Sequence, residues 1–352
     1  MSARLSARTS WKRAALLAVG GAVAAVLLIE LAVRIATGSL SSLGGPNSQR
    51  YGITDPVLGR IPKPGVSMRH PTKGYTVTIG AHGTRNNGAT EPRADRPLTL
   101  ALGDSFAFGD DVDDAGSWPA QLEHQLGRQV VNAAVPGFGI DQMVLRAEQL
   151  AGVYAPETIV VGFIPHDVLR CEMSYWQGLP KPYFEIDAAG LRLHALPPAS
   201  PVAFARLKRW LAASVTLDLL FPYFLHGEGP AALAVHQQGA EVACRLMARL
   251  AELGRVRGAR IVILAQPQAP DTPPEYLALK DRVLACAAAN GLATLDLFPV
   301  FGRLSPEERA ALFEGHLTVA GNRLVATELA RFLEPGGRPA GGTGAPQRAP
   351  TD

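Results

Sequence analysis

Cysteine is scarce. Cys171, Cys244 and Cys286 are the three in 352 residues, and they are widely spaced with no Cys-x-x-Cys pair, which argues against a thiolate zinc site and a disulfide framework. Each reads as a small buried apolar side chain, with one bridge left open should the domain lie outside the cytoplasm. Charge is sparse as well, at 18% of residues with a net +3, and the basic residues are scattered rather than gathered into a stripe. No nucleic-acid partner is expected from such a distribution. Hydrophobic residues make up 47%, too many for a chain disordered throughout and enough for one large α/β domain with appendages.

The N-terminus is defined by two further absences. Residues 1–13 carry Arg4, Arg8, Lys12 and Arg13 and no acid, and the 16 residues from Ala14 to Ile29 carry no charge at all. Glu30 and Arg34 follow, four apart on one helical face, close enough to the far end to reach an interface. With the apolar pattern resuming to Ile35, residues 14–36 approach the roughly 20 apolar residues of a spanning helix. They read as a single transmembrane anchor behind a cytoplasmic tail, 1–13. A cleaved signal peptide is the alternative, because the small residues Ala36-Thr37-Gly38 follow. In either case the basic cluster keeps its own side cytoplasmic and puts the rest of the chain outside, in the periplasm if the anchor sits in an inner membrane.

Residues 37–96 read as a Gly/Ser-rich linker and a small β element centred on Tyr75–Ile79. From there to residue 335, apolar runs alternate with helical patterns, implying an α/β domain with a parallel central sheet and helices on both faces. Strands are expected at Leu98–Leu102, Val130–Asn132, Thr158–Phe163, Ile261–Ala265 and Ala293–Leu297, and helices at 117–126, 142–153, 235–256, 274–289 and 322–333. The alternation breaks between residues 170 and 240, where a hairpin, 182–196, precedes an apolar helical patch, Trp210–Leu225. Asp218 and Pro222 make that patch a poor second span. This insertion is either a lid or wall of a site or a packing excursion. The tail, 336–352, has the composition of a disordered segment.

The first strand runs directly into Gly103-Asp104-Ser105, with Gly109 four residues later, so a buried strand ends in a tight turn that can present one hydroxyl. A serine needs a base to take its proton and N–H donors for the oxygen that becomes negative. The turn resembles the first block of the SGNH/GDSL serine hydrolases, and further blocks follow in that family's order. Pro136-Gly137 after the second strand resembles the second block, which implies that the Gly137 N–H faces an oxyanion; Pro-Gly is also a common turn. Phe163-Ile164-Pro165-His166-Asp167 stands where the family has Asn-Asp. His166 replaces the asparagine, either as an alternative donor or as a loop residue paired with Asp167. Glu314-Gly315-His316-Leu317-Thr318-Val319-Ala320-Gly321 resembles the last block, with Glu314 in place of the usual aspartate. Similarity to the anchored bacterial members extends to Asp55–Gly59 and Gly83–Asn86, for which the residues suggest no chemical role.

The resemblance implies a flavodoxin-like three-layer α/β/α fold and an ester-hydrolysing site. Ser105 is the expected nucleophile, His316 its base and Glu314 the orienting carboxylate, with Ser105, Gly137 and His166 as oxyanion donors. Asp104 is expected to shape the turn. No metal or organic cofactor is implied; the expected partners are an acyl ester, such as an acylated envelope glycan, and the membrane. The same chemistry with a sugar hydroxyl as acceptor gives a polysaccharide O-acetyltransferase. The replacements at His166 and Glu314 also leave room for a catalytically weak binding or scaffold module in envelope polysaccharide export.

Overall fold

The computed structural model describes residues 2–36, 52–70, 73–88, 97–176, 179–196, 207, 210–211, 213–221 and 238–334. The linker expected at 38–50, the end of the apolar patch at 222–225, the start of the helix expected from 235 and the tail at 336–352 lie outside the described residues. The chain falls into two compact units, one drawn from 1–50, 70–74 and 201–227, the other from 51–69, 75–200 and 228–352.

In chain order, the elements that matter are α1 (Ser2–Ala36), β1 (Leu98–Leu102), α2 (Ser105–Phe108), α3 (Trp118–Leu126), β2 (Gln129–Asn132), α4 (Ile140–Tyr154), β3 (Thr158–Phe163) and α5 (Pro165–Arg170). They continue with α6 (Val215–Leu220), α7 (Gly239–Arg257), β4 (Arg260–Ala265), α8 (Pro274–Ala289), β5 (Ala293–Asp296) and α9 (Val319–Leu333). α1 and α6 belong to the smaller unit.

The five strands of the central sheet in the larger unit pair in parallel in the order β5-β4-β3-β1-β2. That is the doubly wound, flavodoxin-like order, in which the direction of winding reverses between β1 and β3 and a crevice opens at the strands' C-terminal ends. Alternation along the strands builds both faces. Leu98, Leu100 and Leu102 join Ile159, Ile263, Leu246 and Val283 on one side, under α4, α7 and α8. Ala101, Val160 and Val262 join Trp118, Leu122, Val325 and Leu329 on the other, under α3 and α9. The β-rich and aliphatic runs are continuous because both faces are covered.

Element boundaries follow local chemistry. Ser117 and Thr318 cap α3 and α9 through their hydroxyls, so α9 starts at Val319, three residues before the expected Asn322. The expected hairpin forms between Tyr183–Asp187 and Gly190–His194, and its Phe184 is buried in the core. Asp55–Gly59 serves packing. Asp55 caps the Val57 and Leu58 N–H groups, Leu58 is fully buried, and its carbonyl accepts from Gln142.

The structure corrects the cysteine expectation at two positions. Cys244 on α7 and Cys286 on α8 form a disulfide that ties together two helices on one sheet face, while Cys171 is free and buried as expected.

In the smaller unit, no residue of Ala14–Ala36 of α1 is fully buried, and the segment, with mean hydropathy 2.5, is long and apolar enough to cross a membrane. α6 covers part of the expected patch Trp210–Leu225 and is capped by Ser214.

Candidate active site

Ser105 stands at the first position of α2, directly after β1, on the C-terminal edge of the sheet beside the reversal of winding. The strand breaks there because Gly103 is wedged in: a Cβ at this position would lie 2.4 Å from Ala107 Cβ and 2.7 Å from the Gly162 carbonyl. Asp104 closes the turn by accepting the Phe106 N–H through Oδ1 at 2.9 Å, the turn-shaping role expected of it. Gly109 ends the helical turn in the left-handed region, φ 86°, with Ser117 packed too close for a side chain.

His316 arrives from the other end of the chain on the short strand that leads into α9. Its Nε2 lies 3.0 Å from Ser105 Oγ. Its Nδ1 meets Asp111 Oδ2, also at 3.0 Å. Glu314 does not take the place expected for it. Its side chain is exposed, and the carboxylate on the imidazole comes instead from the loop six residues after the serine. Asp111 reaches that position with φ 72°, a left-handed conformation that aspartate tolerates better than most residues. Across from it, Gly315 has φ 81°, and a Cβ added there would come within 3.5 Å of Asp111 Oδ2.

The Asp111 loop is pinned by Arg85, whose side chain is buried. Its guanidinium donates to the carbonyls of Phe108 at 2.8 Å, Val112 at 2.6 Å and Gly109, and pairs with Asp114 at 3.2 Å. A backbone bridge from Arg85 to Asn132 docks the same stretch on β2. Gly83–Asn86 thus acts structurally, supplying the cation that gathers the carbonyls around the carboxylate loop.

Charge around His316 is negative. Burial opposes its protonation, but the Asp111 hydrogen bond and the charges of Asp110, Asp111 and Asp104 outweigh burial and hold its pKa above the usual 6.5. Asp110 is buried beside it, and burial, with like charge from Asp111, pushes its carboxyl up to about 6 against the pull of His316 and Arg85.

The expected oxyanion donors lie at the ends of neighbouring strands. Gly137 follows β2 with φ 84°, and a Cβ there would fall 2.6 Å from Trp176 Nε1. His166 is the second residue of α5, after β3. It does not pair with Asp167, as one reading of the sequence expected. Asp167 instead accepts the Ile164 N–H at 3.0 Å and pairs with Arg170.

His166 Nδ1 lies 3.1 Å from Arg170 Nη2. A guanidinium only donates, so Nδ1 accepts and the ring proton resides on Nε2. Burial, reinforced by the Arg170 charge, lowers the His166 pKa to about 4, so the ring is neutral at physiological pH. Arg170 also reaches Asp104 Oδ2 at 3.4 Å and the Phe138 carbonyl at 3.1 Å, and the Trp176 ring covers it at 4.4 Å. Trp176 in turn packs edge-on against His166, with ring centroids 5.4 Å apart. Arg170 and Trp176 therefore join the serine turn, the Gly137 loop and α5 in one cluster.

Sequence reasoning missed Asp111, Arg85, Arg170 and Trp176. Asp111 carried one signal, the acidic pair that follows Gly109, and Arg85 another, its place in the Gly83–Asn86 stretch to which no role had been given. An Asp–His–Ser relay of this geometry can remove the serine proton, and a neutral imidazole with its proton on Nε2 can donate to a nascent anion.

No family model matches the chain, and no curated protein matches it. Among solved structures it is similar to TesA, at 18% identity over 65% of this chain and 94% of that one, with a TM-score of 0.40. It is similar to a lipase/acylhydrolase from Enterococcus faecalis, at 11% identity over 70% and 100% with a TM-score of 0.41. It is also similar to a GDSL-like lipase from Bacteroides thetaiotaomicron, at 11% identity over 70% and 90% with a TM-score of 0.38.

Proposed function

We propose that this protein is a serine esterase of the SGNH/GDSL type, held in a membrane by α1 with its larger unit outside the cytoplasm. The observation that carries the reading is the relay from Ser105 Oγ through His316 to Asp111, two contacts of 3.0 Å each. Ser105 attacks the acyl carbon as His316 Nε2 takes its proton. The imidazolium returns that proton to the leaving alkoxide, and the ester C–O bond breaks to leave an acyl-serine. Water, deprotonated by the same imidazole, then releases the acid and restores the serine. Asp111, rather than Glu314, fixes the tautomer and steadies the imidazolium. The Ser105 and Gly137 N–H groups and His166 Nε2–H receive the oxyanion.

The relay favours an enzyme over the scaffold reading. A short acyl group such as acetyl is supported by the Trp176 indole, which occupies the space over Gly137. The outer-side location is supported by the basic residues of α1 that precede its apolar segment at Ala14 and by the Cys244–Cys286 bridge, a linkage of oxidising compartments.

The test is p-nitrophenyl acetate hydrolysis by the detergent-solubilised chain beside Ser105→Ala. The variant is expected to lose about 10⁴-fold or more in kcat. Equal rates for the two proteins would remove the esterase reading. A second measurement addresses the compartment. The double change Cys244→Ser, Cys286→Ser opens a 42-residue loop and is expected to cost about 3–4 kcal/mol of unfolding free energy, read as a drop in denaturation midpoint. Unchanged stability would show that the bridge does not form.

A further inference from the structure

The smaller unit holds an arrangement with no part in the ester chemistry. Glu30, near the outer end of α1, accepts from Ser214 Oγ at 2.7 Å, the Val215 N–H at 2.8 Å and the Thr216 N–H at 3.0 Å. Arg34 closes the cluster, pairing with Glu30 at 2.8 Å and donating to the Ala213 carbonyl at 2.9 Å. The start of α6 is therefore fastened to α1 at the level of Glu30.

That level can be placed relative to a bilayer. Ala14, the first residue past the basic cluster, and Glu30 are 16 residues apart, about 24 Å along a helix. A hydrocarbon core is about 30 Å thick, so a span that begins at Ala14 carries Glu30 a few ångströms inside the outer boundary. A carboxylate at that depth requires partners, and the Ser214 hydroxyl, two N–H groups of α6 and Arg34 supply them. The residues that bond to Glu30 lie at the same depth. Around them large apolar side chains stand open: Trp210 is 73% exposed, Leu220 65% and Phe221 53%. An aqueous surface rarely gathers three such groups beside one short helix, whereas the boundary between headgroups and acyl chains favours them, tryptophan above all.

We propose that α6, with Phe221 at its C-terminal end and Trp210 five residues ahead of its start, is a membrane-seated element whose exposed apolar side chains, with that of Trp210, enter the outer interface of the phospholipid bilayer that α1 crosses. The inference rests on the reading of α1 as a membrane anchor. It assigns Trp210, Leu220 and Phe221 a lipid partner and Glu30 a structural role as the acceptor that holds α6 at the interface.

Single thiols introduced into the full chain test it, since Cys171 is buried and the other two cysteines are bridged. Leu27→Cys in the span, Leu220→Cys on α6 and Val256→Cys, exposed on α7, each carry a fluorescent label. The proteins are reconstituted without reductant into phosphatidylcholine vesicles containing brominated lipid. The expected result is loss of fluorescence at Leu220→Cys comparable to that at Leu27→Cys, with Val256→Cys unquenched by lipid and quenched by aqueous iodide. A Leu27 label quenched by lipid beside a Leu220 label open to iodide would overturn the inference and leave the anchor standing. A Leu220 label shielded from both quenchers would overturn it in favour of a protein occupant. An unquenched Leu27 label would remove the anchor reading and the inference with it.

Discussion

Two imidazoles at one sheet edge are driven in opposite directions. His316, facing Asp111 with Asp110 and Asp104 nearby, is held above its usual pKa. His166, buried against the Arg170 guanidinium, is lowered to about 4. The first keeps the affinity for a proton that a base requires. The second stays neutral with one N–H on offer. Residue type does not separate these roles; the sign of the neighbouring charge does.

The largest expected effect tests the carboxylate side of this contrast. Asp111→Asn leaves the shape but loses the charge on Nδ1, and kcat should fall by about 10⁴-fold, whereas Glu314→Gln should leave it unchanged. The reverse ranking in steady-state assays would transfer the orienting role back to Glu314. On the cationic side, His166→Ala removes one oxyanion donor and should lower kcat by about 10²–10³-fold. His166→Asn restores an N–H donor and should recover most of that loss. If the asparagine variant were as slow as the alanine variant, a donor role for His166 would fail.

The smallest effect lies in the pH profile. A raised His316 pKa means that the base stays protonated to higher pH, so kcat/KM should fall with acid through a limb lying above 6.5. Asp110→Asn removes one of the charges that raise it, and the limb should move toward 6.5. A limb that stayed in place would show that Asp110 does not act on the base.

The sheet was readable because its strands are covered on both faces and appear as short, mostly apolar runs alternating with helical patterns. Ser105 and His316 could be singled out because each sits at a local break, a strand end and a helix entry. Their partners could not. Asp111 reaches the imidazole through a left-handed backbone, so no spacing from His316 points to it. Arg85 and Arg170 work through long side chains that meet carbonyls and carboxylates from several elements, and such contacts leave no local pattern. Cys244 and Cys286 lie 42 residues apart on separate helices, and only their packing side by side in the fold brings the two thiols together.

Activation of Ser105 as a nucleophile is what every step of the proposed chemistry requires. Intact-mass and peptide mass spectrometry after exposure to a p-nitrophenyl alkylphosphonate addresses it head-on. One covalent adduct is expected, on the peptide that contains Ser105, with its rate of formation collapsing in His316→Ala. An intact chain that gains no mass, or one modified elsewhere with Ser105 untouched, would refute the assignment.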